Sequence, residues 1–456
     1  MMEEIAVHTL RDRLAHKKYI LALLPIIFIL SGFNLLPPVL AISIAAFFIL
    51  YVFLSEYSWV LVTLIPLGVA LGTIINIDIT TTWVYEISLG EIFLFVSMGA
   101  LFLDTLFYPR EAHLKMKAIG WLLLIYLIMA AASFWHVKDY ELYVAGLKVC
   151  SFAFMSYFLA ANLLTTPKRL RLFFYGLAAA VMLMSIEIFF TFFNLKFSSS
   201  LFNERNLIRI PVGAIALVAS ILAFTLPLLL TFYFSLKKSS KARILALLAF
   251  VLGFIAIFMM LGKAALLSFG LAMGYLFIKL KPKRIAFVLF VCLFALIGYI
   301  SLGDYAAGLI NRLTHIGQDN STQFRILEYK TAFRIVEEQP WFGIGSGQQL
   351  AFYQRFISPD YSQLINSYWL QALVDYGGVG LLIFLLLLVS VFRLARRNKN
   401  SPHKDSMMRV GLTAALLAIA LNGLVEVTIF ALPYAVLMWL TIGAYIHVLP
   451  AEKIDV

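Results

Sequence analysis

Residues 243–260 read RILALLAFVLGFIAIFMM and residues 264–278 read AALLSFGLAMGYLFI, with only Leu261, Gly262 and Lys263 between them. A helix rises about 1.5 Å per residue, so runs of this length approach or match a hydrocarbon core about 30 Å thick. An α-helix also satisfies its own backbone hydrogen bonds, which lipid cannot do for it. The two runs therefore predict a tight transmembrane hairpin with Lys263 at its tip. A transmembrane barrel would need segments of about ten residues with alternating polarity, and no such repeat stands out.

The same texture continues outward in both directions. Of 456 residues, 62% are hydrophobic and 13% charged, against about 25% charged in a soluble domain. Helices are predicted at 19–34, 36–54, 58–76, 87–107, 116–135, 143–165, 170–193, 208–236, 243–260, 263–278, 285–302, 367–392, 410–427 and 430–448. The fold class is all-α: a polytopic integral membrane protein of about 12–14 transmembrane helices with one structured outer loop. The organisation is 1–302 as N-terminal helices, 303–366 as an extracytoplasmic loop and 367–456 as C-terminal helices. Cys150 and Cys292 both lie in apolar runs and read as packing residues. The basic stretch Arg11–Lys18 precedes the first apolar run without a small-residue cleavage site, so a retained first helix is expected.

A net charge of +12 in a soluble protein would suggest nucleic acid. Here the charges are sorted by position. The clusters at 11–18, 110–117, 168–171, 237–243, 279–284 and 393–409 all fall on one side once the N-terminus is placed inside. That is the positive-inside pattern, with both termini cytoplasmic. The exceptions need another reason: Arg205 and Arg209 before the helix at 208–236, Lys263 in its hairpin, and Arg312, Arg325, Lys330, Arg334 and Arg355 in the long loop. Cations held at a membrane–water boundary suit a phosphate or diphosphate group; a solvated face or headgroup anchoring is the alternative. Within the loop, a helical stretch from Arg325 to Glu338 is followed by Pro340, which stops it, and by the turn Gly343-Ile344-Gly345-Ser346-Gly347.

Four segments now carry a family resemblance. Phe202-Asn203-Glu204-Arg205-Asn206 resembles an outer F-N-x-x-N stretch of the O-antigen ligase and polymerase superfamily, and Leu261-Gly262-Lys263-Ala264-Ala265 its G-S-R-G-A hairpin, with Lys263 in the arginine's place. Arg312, then Arg325-x3-Tyr329-x2-Ala332, then Pro340-x2-Gly343-x-Gly345 is similar to its large outer loop. Asn366-Ser367, followed after nine residues by Gly377-x2-Gly380, resembles its H-[NSQ]-x9-G-x2-G motif. The likeness is strongest over 200–395.

The resemblance implies a GT-C-like membrane glycosyltransferase of the bacterial cytoplasmic (inner) membrane, acting at the outer face without metal or other cofactor. Donor and acceptor would be glycans on undecaprenyl diphosphate, with chain-length-regulating and flippase proteins as further partners and no nucleic acid. Lys263 and Arg325 would stabilise the departing diphosphate, with Arg205, Arg209 and Arg312 as further contacts. Asn203, Asn206, Tyr329, Ser367, Tyr368 and Asp375 are the expected acceptor or glycan contacts. The departure lies at Asn366, where the ligases carry a histidine. An amide cannot take a proton at neutral pH but can orient a hydroxyl. Asn366 therefore tilts the expectation from a ligase toward a polymerase of oligosaccharide repeat units. Glu426, near the outer end of the penultimate helix, and His315, in the loop, are the other candidates for proton acceptor. Pairing or interfacial exposure is the plainer account of Glu426. A transporter of lipid-linked glycans is the reading from another class, but no internal repeat supports it.

Overall fold

The computed structural model describes residues 57–80, 83–107, 114, 116–194, 209–237, 239–260, 262–279, 320–357, 365–396 and 407–446. The helices expected at 19–34, 36–54 and 285–302 lie outside these residues.

Long apolar helices dominate the described chain: α1 (Ser58–Ala70), α2 (Leu89–Phe107), α3 (Ala118–Ala132), α4 (Tyr140–Leu163), α5 (Pro167–Asn194), α6 (Ile215–Ser235), α7 (Lys241–Met260), α8 (Lys263–Lys279), α11 (Tyr368–Arg396), α12 (Met407–Asn422) and α13 (Leu432–Tyr445). Among the described residues, seven helical stretches are long and apolar enough to cross a membrane, and three further apolar helices are shorter. The fold is all-α and polytopic, as the hydropathy pattern requires. Many helices show lipid-type outer faces: Phe102, Ile128, Phe190, Ile244, Leu267 and Leu382 are all exposed, which a water-facing surface would penalise.

The core is built on α6, of which 89% is buried. It packs against α5, α7, α8 and α12, while α4 packs against α13, α3 and α2, and α11 against α3 and α12. Small residues permit close approach: at Gly411 of α12 a Cβ would collide with the Thr231 side chain of α6.

Two features depart from the expected helices. The predicted helix 58–76 ends at Ala70, and a hairpin of β1 (Thr73–Thr80) and β2 (Trp83–Ser88) follows, antiparallel. The alternating β-branched run Thr73-Ile-Ile-Asn-Ile-Asp-Ile-Thr80 favours an extended chain, so apolar content alone misreads it. Likewise, the helix expected from 208 begins at Ile215, because β3 (Arg209–Ile210) and β4 (Gly213–Ala214) fold back around Pro211.

The long loop carries α9 (Asn320–Glu338) and α10 (Gln349–Phe356). These have a small core of their own, with Ala332, Ile335, Phe352, Tyr353 and Ile365 closing on Val374 of α11. The turn at 133–136, the β3–β4 turn and the ends of α12 and α13 near 423–432 share this loop end of the bundle. The described basic residues at 117, 168–171, 237–243, 279 and 393 all belong to helix starts or ends at the opposite side.

Candidate active site at the loop end

One turn of α9 presents Arg325, Glu328 and Tyr329 toward the segments that flank α11 and α12. Arg325 Nη2 lies 3.0 Å from Glu426 Oε1, and the two side chains are 29% and 18% exposed. Arg325 Nε is buried without a hydrogen-bond partner among the described residues. Tyr329 donates its hydroxyl to the carbonyls of Asn366 at 3.0 Å and Leu424 at 3.2 Å. Tyr329 thereby ties the entry to α11 to the exit from α12. Burial raises its phenol pKa above the ordinary value, with the Arg325 charge acting in the opposite sense, so it remains a donor at neutral pH.

Glu328 was not singled out by the sequence, yet it is the best-defined acid of the cluster. It is fully buried. Its Oε2 accepts from the Asn366 backbone N–H at 3.2 Å and from Nδ2 at 3.0 Å, and Oε1 accepts from Nδ2 at 3.2 Å. A carboxylate can only accept, so the Asn366 amide must turn its NH₂ toward Glu328 and its oxygen away. This removes the usual ambiguity of an amide's orientation. The only sequence sign of Glu328 is an acid one helical turn beyond Arg325, which places both on one face.

The glycine motifs solve a packing problem beside this cluster. Gly343, Gly345, Gly347 and Gly377 have φ of 67°, 100°, 72° and 64°. Gly377 interrupts α11 with φ 64° and ψ −164°. At the interruption, Gly378 and Val379 donate to the carbonyls of Pro340 and Trp341 at 2.8 and 3.3 Å, while Ile344 and Gly345 donate to Val374 and Asp375 at 3.0 and 2.9 Å. The glycine turn thus docks into a break in α11. Beyond the turn, Gln348 accepts from Lys138 N and Asp139 N, both at 2.9 Å, and donates to the Asp139 carbonyl at 2.8 Å. Ser346 N donates to Ser133 Oγ at 3.0 Å.

The remaining expected site residues are distributed around this frame. Asp375 is 2% exposed, accepts from Gln371 at 3.3 Å and lies under the glycine turn. Tyr368 is fully buried, donates to the Ile419 carbonyl at 2.6 Å and covers Gly423; Ser367 is buried beside it. Tyr368 holds α11 to α12, and neither residue faces open space. Lys263 is half-buried as the first residue of α8, at the same end of the bundle. Arg209 opens β3. Asn203, Arg205, Asn206, Arg312 and His315 lie outside the described residues.

Residues 248–385 match the family model described as O-antigen ligase. Over this stretch the chain is similar to O-antigen ligases. It contains Lys263, Arg325, Glu328, Tyr329, Asn366, the glycine turn and the break in α11. The described helices make the chain a multi-pass membrane protein, and over the matched stretch it is similar to a family whose members are glycosyltransferase-like enzymes. No curated protein matches the chain. Glu426, which pairs with Arg325, falls beyond the matched stretch.

Proposed function

We propose that the protein polymerises oligosaccharide repeat units carried on a polyprenyl diphosphate, at the outer face of the cytoplasmic membrane. The observation that carries this reading is the Arg325–Glu426 pair beside the Glu328-oriented Asn366, all on the loop side. The loop side becomes the outer face if the basic clusters at the opposite end are cytoplasmic.

In the reaction, an acceptor hydroxyl attacks the anomeric carbon of the donor. A new glycosidic C–O bond forms, the C–O bond to the diphosphate breaks, and the carrier leaves with the bonding pair. Arg325 and Lys263 offset the negative charge that grows on the leaving group, a contribution of several kcal/mol when the cations are preorganised. The Asn366 amide oxygen, turned away from Glu328, accepts a hydrogen bond from the acceptor hydroxyl and aligns it. Glu426 takes the proton: it is ionisable and partly exposed, whereas Glu328 is sealed. As the carrier's charge develops, Arg325 divides its donors between Glu426 and the diphosphate.

Reconstitution with a polyprenyl-diphosphate oligosaccharide tests the proposal. A ladder of products spaced by one repeat unit is expected. A single shifted band on a different acceptor identifies a ligase and overturns the polymerase reading; translocation without bond formation overturns the transferase reading as well.

A further inference from the structure

A second polar feature lies outside residues 248–385. Lys148 of α4 and Glu91 of α2 form an ion pair, Nζ to Oε2 at 2.9 Å, with side chains only 16% and 7% exposed. Both sit on helices apolar enough to span a membrane. Both also line a cavity of about 430 Å³, walled by the ends of α1 and α13 and by the β3–β4 turn, including Gly72, Pro211, Gly213 and Pro433. That volume falls in the range of about 300–1,000 Å³ usual for small-molecule sites. Ionised groups within membrane-spanning helices are costly and tend to serve a ligand or a transport path. A purely structural pair between α2 and α4 would be better placed in tight packing than on a cavity wall, since apolar residues of equal volume hold helices together at no desolvation cost.

We propose that this cavity is a glycan subsite that receives a neutral sugar residue of the lipid-linked chain. Its chemistry selects such a ligand. The ammonium donates and the carboxylate accepts, which matches a hydroxyl-bearing ring that offers both functions side by side. A diphosphate would meet Glu91 as a like charge, and an isoprenoid would leave the pair unsolvated. Apolar walls from Val69, Val149, Val212 and Val436 suit the C–H faces of the ring. The inference rests on the transferase reading for the origin of the glycan, but not for binding itself. It adds residues of the N-terminal half to the recognition of the chain being extended.

The test is saturation-transfer NMR with detergent-solubilised full-length protein and a panel of methyl hexopyranosides as probes. Wild-type protein should show transfer, and so should Arg325→Ala, which alters the loop-end cluster but no residue of the cavity lining. Ala145→Phe, which fills the cavity while keeping both charged residues, should abolish it. The double variant Glu91→Gln, Lys148→Met, which leaves no unpaired charge, should bind roughly tenfold more weakly through loss of charged hydrogen bonds. Transfer that persists undiminished in Ala145→Phe, or that is absent from wild-type protein, overturns the subsite. If wild-type protein shows no transfer yet still yields a polymer ladder, the subsite fails while the transferase reading stands. Sugar binding lost in Ala145→Phe, by a protein that forms no glycosidic bond, leaves the subsite standing and removes the transferase.

Discussion

At the scale of single residues, the site turns on two carboxylates with opposite tasks. Glu328 is sealed and holds an amide; Glu426 is partly open and holds a guanidinium. Glu426→Gln should therefore lower the rate of polymer formation by about 10²–10⁴-fold, the usual cost of losing a general acid or base. Asn366→Ala, which loses alignment only, should cost about tenfold by the same ladder assay. Arg325→Ala should abolish long products while membrane insertion, followed by fractionation, stays intact; an unchanged chain-length distribution would contradict its part in carrier departure. The Glu328–Asn366 contact allows a sharper experiment. Asn366→Asp sets two carboxylates against each other in a buried place and should be more damaging than Glu328→Gln. Combining them restores a donor–acceptor pair, so the double variant should recover both thermal stability and polymer yield relative to Asn366→Asp alone.

At the scale of elements, the glycine turn and the broken helix α11 form one unit. Gly377 needs a positive φ of 64°, and a Cβ there would collide with the Trp341 carbonyl. Gly377→Ala should cost about 1–3 kcal/mol from backbone strain alone, with further loss if the 340–345 turn is displaced. Thermal unfolding in detergent should show a lowered midpoint, and limited proteolysis should cut within 340–357 faster than in wild-type protein. Gly378→Ala, at a helical φ and with room for a Cβ, is the comparison for strain. An equal midpoint in Gly377→Ala and wild-type protein would mean that the docking of the turn contributes nothing to stability.

At the scale of the whole molecule, the charge distribution predicts how the bundle sits in its membrane. A cysteine at Arg355, an exposed position of α10, should react with an impermeant maleimide in intact cells. A cysteine at Lys237, after α6, should react only after permeabilisation. Cys150 is buried against Tyr376 and does not interfere; Cys292 is replaced by Ser in both. The reverse labelling pattern would put the candidate site on the cytoplasmic side and end the proposed reaction, because its substrates would then be on the wrong face.

Much of this protein was legible in one dimension. Long apolar runs, sorted basic clusters and glycine-rich turns act over a few neighbouring residues or through the bilayer's thickness, and these local constraints determined an all-helical polytopic fold with a structured loop. Extended segments at 73–88 and 209–214 escaped, since β-branched apolar residues satisfy either helix or strand when only composition is weighed. The partnerships of the site could not be read that way. Arg325 finds Glu426 across 101 positions, and Glu328 finds Asn366 across 38. Lys148 and Glu91, unremarkable in apolar sequence, meet on a cavity wall. Which donor faces which acceptor depends on how separate helices cross, and only the tertiary packing decided that.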